Sequence, residues 1–158
     1  WAFWVQIPAP AFIVISMKKF EWVDHPADTG FRAYGRDMPE AFGNAALALT
    51  NIICDTDKIE EKKEIKVELE AEDLEALLYD WLDHLLYLQG AKRIVGGRFR
   101  VKDISKTDDG YKLRATLWGE EYDSAKHGHG TEVKAMTYHM MEIEEDPEMC
   151  SVQVVVDI

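Results

Sequence analysis

The segment Asp24-His25-Pro26-Ala27-Asp28 places two carboxylates and an imidazole within five residues. Carboxylate oxygens suit hard cations such as Ca²⁺, Mg²⁺ and Mn²⁺ better than zinc. The same residue types also build ordinary solvated turns, so spacing alone leaves both readings open. The other end of the chain, Val155-Val156-Asp157-Ile158, sets an Asp one residue from the Ile158 carboxylate. Two anionic groups held that close repel unless a cation neutralises them. A hard-cation site shared by Asp28 and Asp157 would satisfy both ends at once. The bland alternative is a frayed terminus.

A second polar constellation joins Gly119-Glu120-Glu121-Tyr122-Asp123 to His127-Gly128-His129-Gly130. Two His at i, i+2 between glycines could bind zinc, but specific zinc patterns carry four ligands, and no Cys pair or HExxH accompanies these. The expectation is a flexible surface loop. Glu132 and Lys134 are two apart on a predicted strand, which suits ion pairing, with His139 on the other face. Cys54 and Cys150 lack an activating neighbour and suit small buried hydrophobes. His84, beside Asp83, is expected on a solvated surface. A stand-alone metal-dependent hydrolase would use Asp24, Asp28 and Asp157 for the ion, with His25 or His127 as base. The sequence contains no glycine-rich nucleotide loop and no nucleophile elbow, so it offers no nucleotide site of its own.

The elements that must position these residues follow from periodicity. Lys18–Val23 and Thr29–Tyr34 suit strands on either side of the Asp24–Asp28 loop. Asp37, Pro39 and Glu40 signal a helix start, and apolar residues from Phe42 to Ile53 carry it to Cys54. Glu64–Ala71 alternates strictly, as a half-wet strand does. From Leu74 to Leu88 an apolar stripe at helical spacing marks a second helix, near 73–89. Arg98–Ile104 and Tyr111–Leu117 flank the turn signal Asp108-Asp109-Gly110. Glu132–Ile143 is one long strand candidate, and Ser151–Asp157 is the last strand. Strands and helices in this order predict a single α+β domain, with a mostly antiparallel or mixed sheet packed on two main helices.

The composition bounds the function. The chain has 158 residues, 30 Asp and Glu against 18 Lys and Arg, and a net charge of -12. So acidic a chain is a poor direct ligand for RNA and suits a basic protein or a cation. Residues 1–16 carry no charge, and Pro8 and Pro10 interrupt them. They are too short an apolar run for a membrane span and lack the basic start of a signal peptide. They are expected to be an extension outside a 17–158 domain. Two cysteines fit a reducing, cytoplasmic setting.

The motifs together resemble the archease family. They comprise Asp24-His25-Pro26-Ala27-Asp28 with Gly30, then Glu72-Asp73-Leu74 with Leu77-Leu78, Trp81-Leu82 and Leu85-Leu86-Tyr87. Gly119-Glu120, Lys126-His127, Glu132 through His139 and Val155-Val156-Asp157-Ile158 complete the set. Pro26 stands where the family commonly has Thr. The resemblance implies a non-enzymatic cofactor of the RtcB-type RNA-splicing ligase, which joins RNA ends using GTP and manganese. It implies activation of ligase guanylylation and repeated turnover in tRNA splicing. It also implies a divalent metal site at Asp28, Asp157 and the Ile158 carboxylate, with Ca²⁺ first and Mg²⁺ or Mn²⁺ as alternatives. Asp24, His25, His127, Glu132 and Lys134 are further functional or partner-contact candidates. A general chaperone of an RNA-modification enzyme, and the hydrolase above, are the competing functions.

Overall fold

A computed structural model describes residues 18–25 and 28–158; residues 1–17, Pro26 and Ala27 lie outside it, as do the side chains of Asp24, His25 and Asp28. The expectation for the 1–16 extension therefore falls outside the described residues. The strands are β1 (Phe20–His25), β2 (Asp28–Gly35), β3 (Lys63–Ala71), β4 (Ile94–Lys106), β5 (Tyr111–Glu121), β6 (Ala135–Met136), β7 (Glu142–Glu145) and β8 (Cys150–Asp157). The helices are α1 (Met38–Ile53), α2 (Leu74–Ala91) and the single turn α3 (Ser124–His127). All pairings are antiparallel. Among the described residues one sheet has five strands in the order β1-β2-β8-β6, with β7 also on β8, and the other runs β3-β5-β4. The α+β expectation and both main helices are as the periodicity predicts.

Helices α1 and α2 lie against strands of both sheets, and one apolar core runs through all three layers. The sequence of α1 explains how it fits there. Ala41, Ala45, Ala46 and Ala48 have no exposure, so both sides of the helix can approach a neighbour closely. Asp37 caps α1 by accepting the Glu40 N–H at 2.9 Å, and Glu40 reaches back to the Arg36 N–H at 2.9 Å. Asp73 caps α2 in the same way through the Ala76 N–H at 2.7 Å. Caps of this kind are worth about 1 kcal/mol each. The stripe Leu77, Leu78, Trp81 and Leu82 is fully buried, and the Trp81 indole N–H donates to the Phe42 carbonyl at 3.1 Å. That bond ties α2 to α1 and satisfies the buried Trp81 donor.

β8 is central in its sheet. Its Val152, Val154, Val155 and Val156 are wholly buried. On its outer face Arg32 donates to Gln153 Oε1 at 2.9 Å and to Glu142 at 2.6 Å.

The long strand expected over Glu132–Ile143 is not continuous. β6 ends at Met136 and β7 begins at Glu142, both on the same edge of β8. Five residues, 137–141, stand against two, 154 and 155, so the chain must bulge out. Thr137 and Gln153 hold the bulge, through Thr137 Oγ1 to the Val155 carbonyl at 2.6 Å and Gln153 Nε2 to the Met140 carbonyl at 3.0 Å. Glu132 and Lys134 lie in the irregular segment before β6, not on a strand.

Candidate functional site

The strand ladder brings the two candidate ends together. Thr29 pairs with Val156, the last pair of this ladder, so Asp28 and Asp157 each lie one residue beyond it at the same end of the two strands. On the other side His25 pairs with Asp28, and beyond β8 Ala135 pairs with Asp157. The pairs His25–Asp28 and Asp157–Ala135 thus lie at one end of the sheet and make up its end row. Asp24 falls in the adjacent row, opposite Thr29. The Lys134 backbone N–H donates to the Asp157 carbonyl at 2.8 Å, which places Lys134 beside the row. Glu132 and Lys134 are both exposed, as are Asp157 and Ile158. Among the described residues the Asp157 carboxylate makes no hydrogen bond or ion pair, so its oxygens can accept a cation. No three His, Cys, Asp or Glu side chains among the described residues gather around one point. The Asp28 carboxylate is outside that description.

The second constellation is not a loose loop. His127 has no exposed surface, and its ring stacks on Tyr122. The Asp123 backbone N–H donates to Nδ1 at 3.0 Å, so Nδ1 holds a lone pair and Nε2 carries the proton. That proton goes to Glu120 Oε2 at 2.9 Å. Both ring nitrogens are therefore occupied, and His127 can serve neither as metal ligand nor as general base without breaking this arrangement. Being buried, it also offers no surface to a partner.

Glu120 is the hub. It accepts the Glu60 backbone N–H at 2.7 Å and the Lys126 ammonium at 2.8 Å, and Lys126 also binds Glu60. The Glu60 N–H first, then Lys126 and His127, hold the Glu120 carboxyl far below the usual carboxylate range. Gly119 makes this possible, because a Cβ there would lie 1.9 Å from the Val95 carbonyl oxygen. The loop after His127 is stitched to the end of α1. Asp55 N–H donates to the His127 carbonyl at 2.9 Å, and Gly130 and Thr131 donate to the Ile53 and Ile52 carbonyls. A Cβ on Gly130 would meet the Ile52 oxygen at 2.4 Å. The expected flexible loop is corrected to a pinned one, because burying His127 requires its neighbours to be tied down. Glu60 carries no signal of its own in the sequence, and Glu120 and Lys126 stand there only within the polar constellation and the family motifs. The signal available was the spacing of Gly119-Glu120 and Lys126-His127.

Other candidates take ordinary places. Both cysteines are buried, and burial pushes the Cys54 thiol up to about 11 and Cys150 upward as well. Neither is poised as a nucleophile. His84 is half-buried rather than solvated, and burial depresses its pKa.

A family model described as the Archease protein family (MTH1598/TM1083) matches residues 20–158. The chain belongs to the archease family. A protein archease of Pyrococcus furiosus is 48% identical over 132 residues, covering 84% of this chain and 92% of its own length. One from Methanosarcina acetivorans is 44% identical over 141 residues, covering 89% and 97%. The solution structure of Methanobacterium thermoautotrophicum protein 1598 shares 43% identity, covers 90% of this chain and 100% of its own, and superposes with a TM-score of 0.78. The crystal structure of a Thermotoga maritima archease, described as a possible chaperone, covers 90% of this chain and 98% of its own at a TM-score of 0.56. At 22% identity it speaks for the fold alone. The family match takes in the whole end row and the Glu120 hub. No helix among the described residues is long and apolar enough to cross a membrane.

Proposed function

We propose that this archease-family chain is a non-enzymatic activator of an RtcB-type RNA ligase, promoting GTP-dependent guanylylation of the ligase and its multiple turnover in tRNA splicing. The setting is cytoplasmic. Family membership over residues 20–158 supports the reading, and so does the chain's acidity, -12 overall, which suits a basic RNA-handling partner better than RNA itself.

The observation that supports the metal part is the register that pairs Thr29 with Val156, one residue from Asp28 and one from Asp157. Asp28, Asp157 and the Ile158 carboxylate would hold a divalent cation. All their donors are oxygens, which favours Ca²⁺, with Mg²⁺ or Mn²⁺ as alternatives. The cation would supply positive charge that neutralises facing carboxylates and fixes the end of β8 against the first loop. The chain's own residues would then do the positioning. Lys134 stands exposed beside the row and Glu132 is exposed two residues before it, while His25 belongs to the row and Asp24 to the next one. Placing such charges against a partner's reacting groups can lower a barrier by several kcal/mol.

A multiple-turnover ligation assay with the cognate ligase tests the reading. Ligase alone should stall near one product per enzyme, and catalytic amounts of this protein should restore continued turnover. Hydrolysis of phosphoesters by the purified protein and a divalent metal, without ligase, would favour the hydrolase instead. That alternative has lost one of its candidate bases, since both nitrogens of His127 are engaged.

A further inference from the structure

The bulge between β6 and β7 puts large apolar side chains in water. Tyr138 is 55% exposed and Met140 is 45% exposed, two positions apart. The Tyr138 ring lies flat on Tyr79 of α2, with centroids 4.5 Å apart and planes 12° from parallel. Three bonds hold the bulge rigid: Thr137 Oγ1 to the Val155 carbonyl, Gln153 Nε2 to the Met140 carbonyl, and the Met141 N–H to the Tyr138 carbonyl at 3.1 Å. Met140 itself has φ 56°, a left-handed conformation that costs a side-chain-bearing residue energy. A monomer has no use for a strained, water-exposed Met next to an exposed aromatic stack. A binding surface does, because rigid aromatic side chains bind without a large ordering cost.

The charge around the stack says what would bind. Burial first, and then Asp80, Tyr79, Asp73 and Glu72, push the Tyr138 hydroxyl above its usual pKa. Glu72 and Asp73 just before α2, and Asp80 next to Tyr79, are all exposed, so carboxylates border the stack. A planar cation fits such a place, since a guanidinium can lie over a tyrosine face while forking to carboxylates. The bulge also follows Lys134 and β6 directly, so the patch is continuous with the Asp157 row.

Resting on the ligase reading above, we propose that Tyr138, Met140 and Tyr79, with Asp73 and Asp80, form the docking surface for the basic partner and receive one of its arginines. Tyr138 is the central anchor, of the residue type most often found at the energetic centre of interfaces. The carboxylates steer the approach.

The test is titration of the full chain with the cognate full-length ligase at low and high salt, alongside the turnover assay. Tyr138→Ala and Met140→Ala should each weaken affinity tenfold or more with unchanged thermal midpoints, and Tyr138→Lys should weaken it further. Asp80→Asn should flatten the salt dependence. Lys66→Ala, exposed on the opposite sheet, is the control and should bind like wild type. Wild-type affinity in both Tyr138 variants, with wild-type turnover intact, overturns the surface and spares the functional reading. Failure of the wild-type chain to bind the ligase at all overturns both. Self-association lost in Tyr138→Ala while ligase affinity stays unchanged would assign the patch to a second copy and overturn the proposal.

Discussion

Glu120 and Asp157 are both acidic residues at strand ends, and their surroundings give them opposite uses. Glu120 is buried and accepts from a backbone N–H, a lysine and a histidine, so its charge is fully satisfied. Asp157 is exposed and its carboxylate has no partner among the described residues. The first predicts a pH effect. A carboxyl held below its unfolded value of about 4.5 stabilises the fold above that pH and loses its contribution as pH falls further. Thermal midpoints of wild type and Glu120→Gln should therefore differ most near neutrality and converge below about pH 4.5, as melts between pH 3 and 7 would show. Equal gaps throughout would deny the hub its charge. The second predicts a cation effect. Asp28→Ala or Asp157→Ala should relieve repulsion, so stability without metal should hold or rise slightly. Calcium-dependent stabilisation and ligase activation should fall together. Calorimetry with and without calcium decides the matter, and unchanged metal affinity in both variants would move the site away from the row.

At the scale of elements, α1 and α2 serve both sheets, so damage to either should be felt by the whole domain. Leu82→Ala, at a site with no exposure, should cost about 2–5 kcal/mol through lost burial and the cavity left behind. Denaturant unfolding should remain a single transition, because no layer can keep its core without the helices. A milder change concerns the bulge. Thr137→Val removes the hydroxyl that binds the Val155 carbonyl and should cost about 0.5–1.5 kcal/mol. These elements were unequally legible in the sequence. The alternation of Ile65, Val67 and Leu69 and the stripe from Leu77 to Leu85 each report a local period, and both elements are where the pattern puts them. The split after Met136 has no local signal. It arises because β6 and β7 share an edge with β8 at different registers, which is a tertiary fact. The burial of His127 was hidden for a related reason: Glu120 is a near neighbour in the sequence, but Glu60 and the end of α1, which close this region, come from elsewhere in the chain. The meeting of Asp28 with Asp157 could be suspected only because both flank apolar strands. The ladder register then brings the two strand ends side by side, with Thr29 on Val156.

Over the whole molecule, charge and architecture point the same way. An excess of acid suits association with a basic protein, and exposed charges are screened over roughly 8–10 Å at physiological ionic strength. Association with the ligase should accordingly slow as salt rises, with dissociation much less affected, in stopped-flow mixing at several ionic strengths. Flat association rates would remove charge complementarity from the account. The five-stranded sheet places the Asp28–Asp157 row and the Tyr138 bulge on neighbouring stretches of chain, so a single partner could engage both. Under the proposed function this chain assists another enzyme's nucleotide chemistry and has none of its own. Guanylylation of the cognate ligase by labelled GTP, with and without this protein, addresses it most directly. Labelling of the ligase should be faster and more complete in the presence of the wild-type chain, that gain should be lost with Asp157→Ala, and this protein should take no label. Identical ligase labelling with and without the chain would contradict it.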